Sequence, residues 1–220
     1  MNVEDKELVA LFDGLDTPAV SDAMDKIGLP GQCMNIAPLA NYDKALVGPA
    51  FTVKYVSAST PPGTVGDFVD DVAAGDIVVI DNGGRTDCTV WGDIMTEYAV
   101  ARQIAGTLID GVCRDVNRAL VEGYPLFTRG RFMRTGKDRV QVEAVNVPVS
   151  IGSARVAPRD IVVADANGAL VVPREYARKV AELARKIEAV EEQIRAHISD
   201  GKTLTQAREL MGYHQLQRRD

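Results

Sequence analysis

Gly75-Asp76-Ile77-Val78-Val79-Ile80-Asp81-Asn82-Gly83-Gly84 is the stretch that decides the fold. Residues 77–80 form an uninterrupted β-branched run between a Gly-Asp start and a polar Gly-Gly end, which predicts a buried strand. Residues 107–110 predict a second buried strand, which leads into Gly111-Val112-Cys113-Arg114-Asp115. Between the two strands, Trp91-Gly92-Asp93 begins a predicted amphipathic helix. Its apolar face would carry Ile94, Tyr98, Ala101 and Ala105, with Gly106 at the C′ position.

This order of strand, helix and strand brings a helix N-terminus and the Arg114-Asp115 pair to nearby strand ends. The free N–H groups of a helix N-terminus bind anions. Arginine adds a planar cationic fork, and aspartate offers the hard oxygens that suit Mg²⁺ or Mn²⁺. Together these groups predict a site for a small oxyacid beside a divalent metal.

Composition limits the classes of function. The chain has 220 residues, of which 46% are hydrophobic and 25% charged, as expected of a soluble globular protein. A net charge of −6 does not favour binding to nucleic acid, which is itself negatively charged. Three separated cysteines without a C-x-x-C pair disfavour zinc fingers and disulfide scaffolds. The acidic start has no apolar leader segment and no run is long enough to span a bilayer, so we expect a cytoplasmic protein.

Caps and turns predict the elements on either side of the central stretch. Thr17 is the expected N-cap of a helix with Pro18 at its first position and Gly28 at its end. Residues 129–139 are expected to form a basic loop. Asn167-Gly168 predicts a hairpin between strands at 161–164 and 169–172.

A long C-terminal helix is predicted over residues 174–198. Its regular apolar stripe needs a partner, either on its own domain or on another subunit. The stripe consists of Tyr176, Val180, Leu183, Ile187, Val190, Ile194 and Ile198. Beyond it, Thr203 and Gln206 predict a capping box for a short final helix. His197 and His214 are too few and too peripheral to predict a zinc site.

Five motifs, in the same order as in the family, resemble the RraA-like proteins. They are Thr17-Pro18-Ala19-Val20-Ser21-Asp22-Ala23, Gly48-Pro49-Ala50-Phe51-Thr52-Val53, the central stretch through Asp115, Gly123-Tyr124-Pro125-Leu126-Phe127-Thr128-Arg129-Gly130, and Ala164-Asp165-Ala166-Asn167-Gly168. The family includes class II pyruvate aldolases and protein-binding regulators of ribonuclease E. Residues 88–90 and the loop at 57–70 depart from the family's common form and flank the expected pocket.

The resemblance implies an α/β fold: an αββα sandwich of the swivelling β/β/α type, with a long C-terminal helix, assembled as trimers or hexamers. It divides the chain into a catalytic domain, 1–173, and a helical extension, 174–220, that contributes to oligomer contacts and to the active site.

The resemblance also implies roles for individual residues. Asp115 would bind Mg²⁺ or Mn²⁺, with waters completing the shell, and Arg114 would contact the keto oxygen of the substrate. Asp93 would hold a water of that shell. The pyruvyl carboxylate would lie against the backbone N–H groups of Gly92, Asp93, Ile94 and Met95. An acid from the C-terminal helix of a neighbouring subunit, Glu191 or else Glu188 or Glu192, would complete the site.

Each of these residues also has a purely structural interpretation. Asp115 could cap the helix that follows it, and Asp93 could simply favour a helix start. Trp91 is expected in the core. Glu191 belongs to the acidic run Glu188-Ala189-Val190-Glu191-Glu192, which could be a solvated helix face.

The expected function is that of a lyase: a class II aldolase in aromatic-acid breakdown. It would cleave 4-carboxy-4-hydroxy-2-oxoadipate or 4-hydroxy-4-methyl-2-oxoglutarate through a metal-stabilised pyruvate enolate, with oxaloacetate decarboxylation as a side activity. The alternatives are a protein-binding regulator of ribonuclease E and a dedicated oxaloacetate decarboxylase. Expected partners are the oxoacid substrate and other copies of the chain, with no nucleic acid and no membrane.

Overall fold

The structure is a computed structural model that describes residues 1–42 and 44–213. Within these residues the helices are α1 (Val3–Ala10), α2 (Thr17–Lys26), α3 (Asp93–Ala101), α4 (Val116–Glu122), α5 (Ala177–Ser199) and α6 (Leu204–Leu210). The strands are β1 (Ala37–Pro38), β2 (Leu46–Ser57), β3 (Ile77–Thr89), β4 (Gly106–Cys113), β5 (Leu126–Arg131), β6 (Val140–Val145), β7 (Val149–Ile151), β8 (Ala154–Val156), β9 (Ile161–Asp165) and β10 (Gly168–Val172). Residues 214–220, including His214 and the end of the predicted extension, lie outside the described part.

The predicted strands at 77–80 and 107–110 are confirmed as β3 and β4, which are parallel neighbours. Successive side chains of a strand point to opposite faces of the sheet, and both faces of β3 are buried. Val78 and Ile80 pack towards α3 and α4, while Ile77 and Val79 pack into a core on the other side. A strand buried on both faces explains the uninterrupted β-branched run.

Strand β2 joins two β-layers because it changes its partner along its length. Its first four residues, 46–49, pair antiparallel with β9, and residues 50–54 pair in parallel with β3. In β9, Val162 and Ala164 enter the same middle core as Ile77, while Ile161 and Val163 face α1, α2 and α5. The molecule is therefore an αββα sandwich, as predicted. Its strand order is β1-β5-β4-β3-β2-β9-β10, with β6 paired to the end of β2.

Two local predictions are wrong at the ends of helices. Asp16, rather than Thr17, is the N-cap of α2, because its carboxylate accepts the Ala19 N–H. Helix α3 ends at Ala101 and is followed by Gln103 at a φ of 57°, so Gly106 begins β4 instead of following the helix. Hydrophobic periodicity alone did not show where the chain leaves the helix.

The predicted apolar face of α3 is also wrong. Ile94 is 79% exposed, whereas Thr96 and Ala99 are the buried residues of this helix. The orientation of such a short helix depends on the loops at its two ends as much as on its apolar residues. An exposed isoleucine therefore lies at the N-terminus of α3.

The C-terminal helix α5 has its expected length but a rotated buried face. Val180, Ile187 and Ile194 of the predicted stripe are buried, whereas Tyr176 and Ile198 are partly exposed. Ala177, Ala181 and Ala184 complete the buried face, which packs on α2 of the same chain. The capping box of Thr203 and Gln206 is confirmed at α6. No helix in the described part of the chain is long and apolar enough to cross a bilayer.

The hairpin predicted at Asn167-Gly168 is present, but Gly168 begins β10, opposite Asp165. Asp165 holds this hairpin against the start of α2. Its carboxylate accepts the Thr17 N–H at 2.8 Å, the Thr17 hydroxyl at 2.7 Å and the Asn167 N–H at 2.8 Å. Burial alone would raise the pKa of Asp165, but these hydrogen bonds outweigh it and lower the pKa.

Asp165→Asn should lower the free energy of unfolding by about 1–3 kcal/mol. The reason is that the amide NH₂ group would face buried groups that themselves donate hydrogen bonds to the carboxylate. The pKa of Asp165 is lowered in the folded state, so its stabilising effect is complete above the ordinary carboxyl pKa and is lost as the pH falls through the lowered value. Urea unfolding over the acid range measures both effects. Equal stability of the two proteins at neutral pH would contradict this role.

Candidate active site

Strands β3, β4 and β5 are parallel neighbours, so their carboxyl ends lie at one edge of the sheet. In open α/β sheets this edge is where ligands bind. Trp91 follows β3, Arg114 follows β4, and Phe132 follows β5. The backbone links these ends, since the Arg114 N–H donates to the Trp91 carbonyl at 3.0 Å and the Phe132 N–H donates to the Cys113 carbonyl at 3.0 Å.

Arg114 and Asp115 form an ion pair at this edge. Arg114 Nε lies 3.2 Å from Asp115 Oδ2, and both side chains are 40% exposed. Gly92 approaches the pair closely: a Cβ on residue 92 would lie 2.8 Å from Asp115 Oδ2 and 3.5 Å from Arg114 Nε. A side chain at position 92 would therefore displace the Asp115 carboxylate from its place beside the N-terminus of α3.

The alternative role of Asp115 as a helix cap is not realised. Asp115 occupies the N-cap position of α4, but its side chain makes no capping hydrogen bond. Its backbone is left-handed, with φ 53° and ψ 37°, a conformation that costs a non-glycine residue about 1 kcal/mol or more. The surrounding structure thus holds Asp115 in an unfavourable conformation with its carboxylate half-exposed beside Arg114.

The N-terminus of α3 is fixed by contacts that the sequence analysis did not identify. Trp91 is buried as expected, and its indole Nε1 donates to Thr96 Oγ1 at 3.0 Å. The Thr96 hydroxyl in turn donates to the Gly92 carbonyl at 3.0 Å. Trp91 also stacks on Tyr124. The hydrophobic periodicity of the sequence places Thr96 on the helix, but it does not show that the Thr96 hydroxyl group links Trp91 to Gly92.

Asp93 and its neighbours lie at the open end of this helix. Gly92 is the N-cap and has no side chain with which to cap the first N–H groups. Asp93 Oδ1 accepts the Ile94 N–H at 2.9 Å, which agrees with the structural interpretation of this residue. Met95 approaches the loop at 57–66, since a Cβ on Gly66 would lie 3.3 Å from its sulfur. This end of the helix can present backbone donors and a carboxylate to a ligand.

The acidic residues of α5 lie elsewhere in the chain. Helix α5 packs on the outer β-layer together with α1 and α2, whereas α3 and α4 cover the opposite face of the sandwich. Glu188, Glu191 and Glu192 all lie near Arg195, at 2.5, 3.7 and 3.0 Å respectively. Burial and then the Glu188 carboxylate raise the pKa of Glu191. One chain alone does not bring these acids to Arg114 and Asp115.

The side chains at this edge of the sheet that could bind a metal ion are carboxylates. Among residues 1–42 and 44–213, no group of three or more His, Cys, Asp or Glu side chains is arranged to hold a metal ion. A metal beside Asp115 would take one or two protein carboxylates and complete its shell with water. Mg²⁺ is commonly bound in this way, so the exposed carboxylate of Asp115 fits such an ion.

Comparison with known proteins identifies the family of this chain and the structures that share its fold. The family description RraA-like, Aldolase/RraA, matches residues 17–171. A putative 4-hydroxy-4-methyl-2-oxoglutarate aldolase of Halalkalibacterium halodurans is 33% identical over 91% of this chain and 92% of its own length. Protein DlpA of Legionella pneumophila is 38% identical over 89% of this chain, which spans only 32% of that protein.

Two solved structures share the fold. An uncharacterized protein from Pseudomonas syringae pv. tomato superposes with a TM-score of 0.85 at 42% identity, covering 92% of this chain and 97% of that one. RraAS2 of Streptomyces coelicolor, described as an unusual member of the RNase ES inhibitor RraA family, gives a TM-score of 0.80 at 26% identity, covering 88% and 98%.

Proposed function

Because the chain belongs to the RraA-like family, we propose that it is a divalent-metal-dependent aldolase that cleaves 4-hydroxy-2-oxoacids to release pyruvate. One observation carries the proposal. Gly92, Arg114 and Asp115 lie together at the carboxyl edge of the sheet, and their helix N-terminus, guanidinium and carboxylate are the groups that would bind one small oxyacid.

The reaction breaks the C3–C4 bond of the substrate and leaves its electron pair on the pyruvate half as an enolate. The enolate oxygen gains negative charge, so groups that stabilise this charge lower the barrier. Arg114 would donate its guanidinium N–H groups to this oxygen, which is the former keto oxygen. Asp115 would hold Mg²⁺ or Mn²⁺, which supplies Lewis-acid stabilisation when bound. Asp93 would orient a water nearby.

The carboxylate of the pyruvate half would lie at the N-terminus of α3, against the backbone N–H groups of residues 92–95. These donors are held in place by the Trp91–Thr96–Gly92 hydrogen bonds, so they need no rearrangement as the enolate forms. The same groups would stabilise the enolate from oxaloacetate decarboxylation. We therefore include that reaction as a side activity.

A base must also take the proton of the C4 hydroxyl group, and Glu191 of a neighbouring copy is our candidate. Burial and the Glu188 carboxylate raise the pKa of Glu191, which makes its carboxylate a stronger base. Since α5 covers the opposite face of its own chain, this role requires self-association, and we propose a trimer or hexamer in which the 174–220 extension reaches the next site. Glu188 and Glu192 are the alternatives.

Glu191→Gln should lower kcat for aldol cleavage by about 10²-fold, the usual contribution of a general base. Glu192→Gln is the matched control, because Glu192 shares the contact with Arg195 and is more exposed. Steady-state pyruvate release measures both variants. If Glu192→Gln loses the activity instead, the base is assigned to the wrong carboxylate. If both variants are fully active, the helix supplies no base.

Pyruvate release from the purified protein tests the function itself. The protein is offered 4-carboxy-4-hydroxy-2-oxoadipate, 4-hydroxy-4-methyl-2-oxoglutarate and oxaloacetate, each with Mg²⁺ and with excess EDTA. We expect metal-dependent pyruvate from all three, faster from an aldol substrate than from oxaloacetate. Faster release from oxaloacetate would favour a dedicated decarboxylase. No release from any of them would favour the protein-binding regulator of ribonuclease E.

A further inference from the structure

A basic segment follows β5 at the same edge of the sheet as Arg114. Residues 131–139 contain four cationic side chains and one acidic side chain, in a chain whose net charge is −6. Residues 129–139 are predicted as a basic loop, but β5 extends through Arg131 and leads the rest of the segment to the carboxyl edge of the sheet. Local positive charge in an acidic protein attracts anionic ligands to this edge.

Backbone hydrogen bonds fix the segment against the site. The Phe132 N–H donates to Cys113, the residue before Arg114, and the Arg134 carbonyl accepts the Thr89 N–H at 3.0 Å. Gly136 lies so close to Thr89 that a Cβ there would be 2.3 Å from the Thr89 carbonyl oxygen. Residue 134 therefore lies beside Thr89, the last residue of β3. The turn into α3 begins two residues after Thr89, at Trp91.

The cations of the segment differ in how their side chains are engaged. Arg131 donates to the Leu39 carbonyl at 3.3 Å, and Arg139 donates to carbonyls of its own loop at 3.2 and 3.3 Å. The guanidinium carbon of Arg134 lies 5.7 Å from the centre of the Phe132 ring. Within residues 1–42 and 44–213, the nearby Asp87 carboxylate pairs with Arg85 at 2.9 Å, and Arg134 only contributes through its charge to the lowered pKa of Asp87.

A guanidinium supported by an aromatic face keeps its N–H fork free for a carboxylate. The substrate offers such a group. If α3 and Arg114 hold the pyruvate half, the C4 half extends away from them, and in the 4-hydroxy-2-oxoacids proposed above that half carries a further carboxylate. We infer that Arg134 binds this distal carboxylate and so selects substrates whose second product is an oxoacid over those that release a neutral aldehyde. The inference rests on the proposed function.

Two substrates separate this role from the bond-breaking chemistry. 4-Hydroxy-4-methyl-2-oxoglutarate has a distal carboxylate, and 4-hydroxy-2-oxopentanoate has none. In Arg134→Gln, kcat/KM for the first should fall by about 10- to 100-fold, the usual effect of losing a charged hydrogen bond, mostly through KM. The value for the second should stay within about twofold of the wild type. Arg134→Lys should recover part of the loss, since it restores the charge without the fork.

Lys137→Gln is the matched control, because it removes one positive charge from the same exposed segment. If it matches Arg134→Gln, the effect is general attraction of anions and Arg134 has no specific role. Equal losses on both substrates, or no loss on either, would also overturn the inference. A wild type that releases no pyruvate from either substrate would instead overturn the proposed function, and with it this inference.

Discussion

Asp115→Asn is expected to lower pyruvate formation by about 10³-fold or more, because the site loses the carboxylate that would hold the divalent ion. Asparagine tolerates the left-handed backbone that residue 115 adopts, so the fold should be retained. The measurement is kcat/KM at saturating Mg²⁺, together with the thermal unfolding midpoint. We expect a large loss of activity with little change in that midpoint.

Asp138→Asn is the matched control for this substitution. Asp138 is also an aspartate with a positive φ, at 63°, and it is exposed in the segment after β5. If both variants lose activity equally, the effect comes from charge or backbone and not from a metal site. Full activity in Asp115→Asn would remove Asp115 from the mechanism.

Arg114→Lys is expected to lower kcat by about 10²-fold, although the positive charge is retained. Lysine cannot reproduce a planar fork that contacts both Asp115 and the substrate oxygen. The loss should appear in kcat more than in KM, because the charge on the keto oxygen grows as the C3–C4 bond breaks.

Arg118→Lys provides the comparison for Arg114→Lys. Arg118 makes exposed ion pairs with Glu97 and Glu122 across α3 and α4, and such surface pairs contribute little. We expect this variant to keep wild-type kcat. A wild-type kcat in Arg114→Lys would show that the guanidinium does not act on the substrate oxygen.

Much of the fold follows from patterns that the chain carries locally. The β-branched run at 77–80 predicted a strand buried on both faces, and the sandwich buries it between α3 and the middle core. Motif order predicted the αββα sandwich. In contrast, Gly106 was misplaced because a left-handed Gln103 ends α3, and non-glycine residues with positive φ have no strong sequence signature.

The sequence predicted that three residues of the candidate site lie together, but not the contacts that hold them there. Gly92, Arg114 and Asp115 were singled out from strand–turn–helix order, and the structure brings all three together. The Thr96 bond to Trp91 and the position of Arg134 depend on tertiary contacts between strand ends, which no local pattern encodes. The role of Glu191 depends on a second copy of the chain and stays a prediction, as does the division at residue 173.

The central claim is that this edge of the sheet stabilises a pyruvate enolate with a divalent ion at Asp115. The most direct measurement is exchange of the pyruvate methyl protons in D₂O, followed by proton NMR, because it requires enolate formation and no second substrate. We predict exchange by the wild type with Mg²⁺, none with EDTA, and none by Asp115→Asn. Equal exchange by the wild type and Asp115→Asn, or exchange that persists in EDTA, would contradict this account.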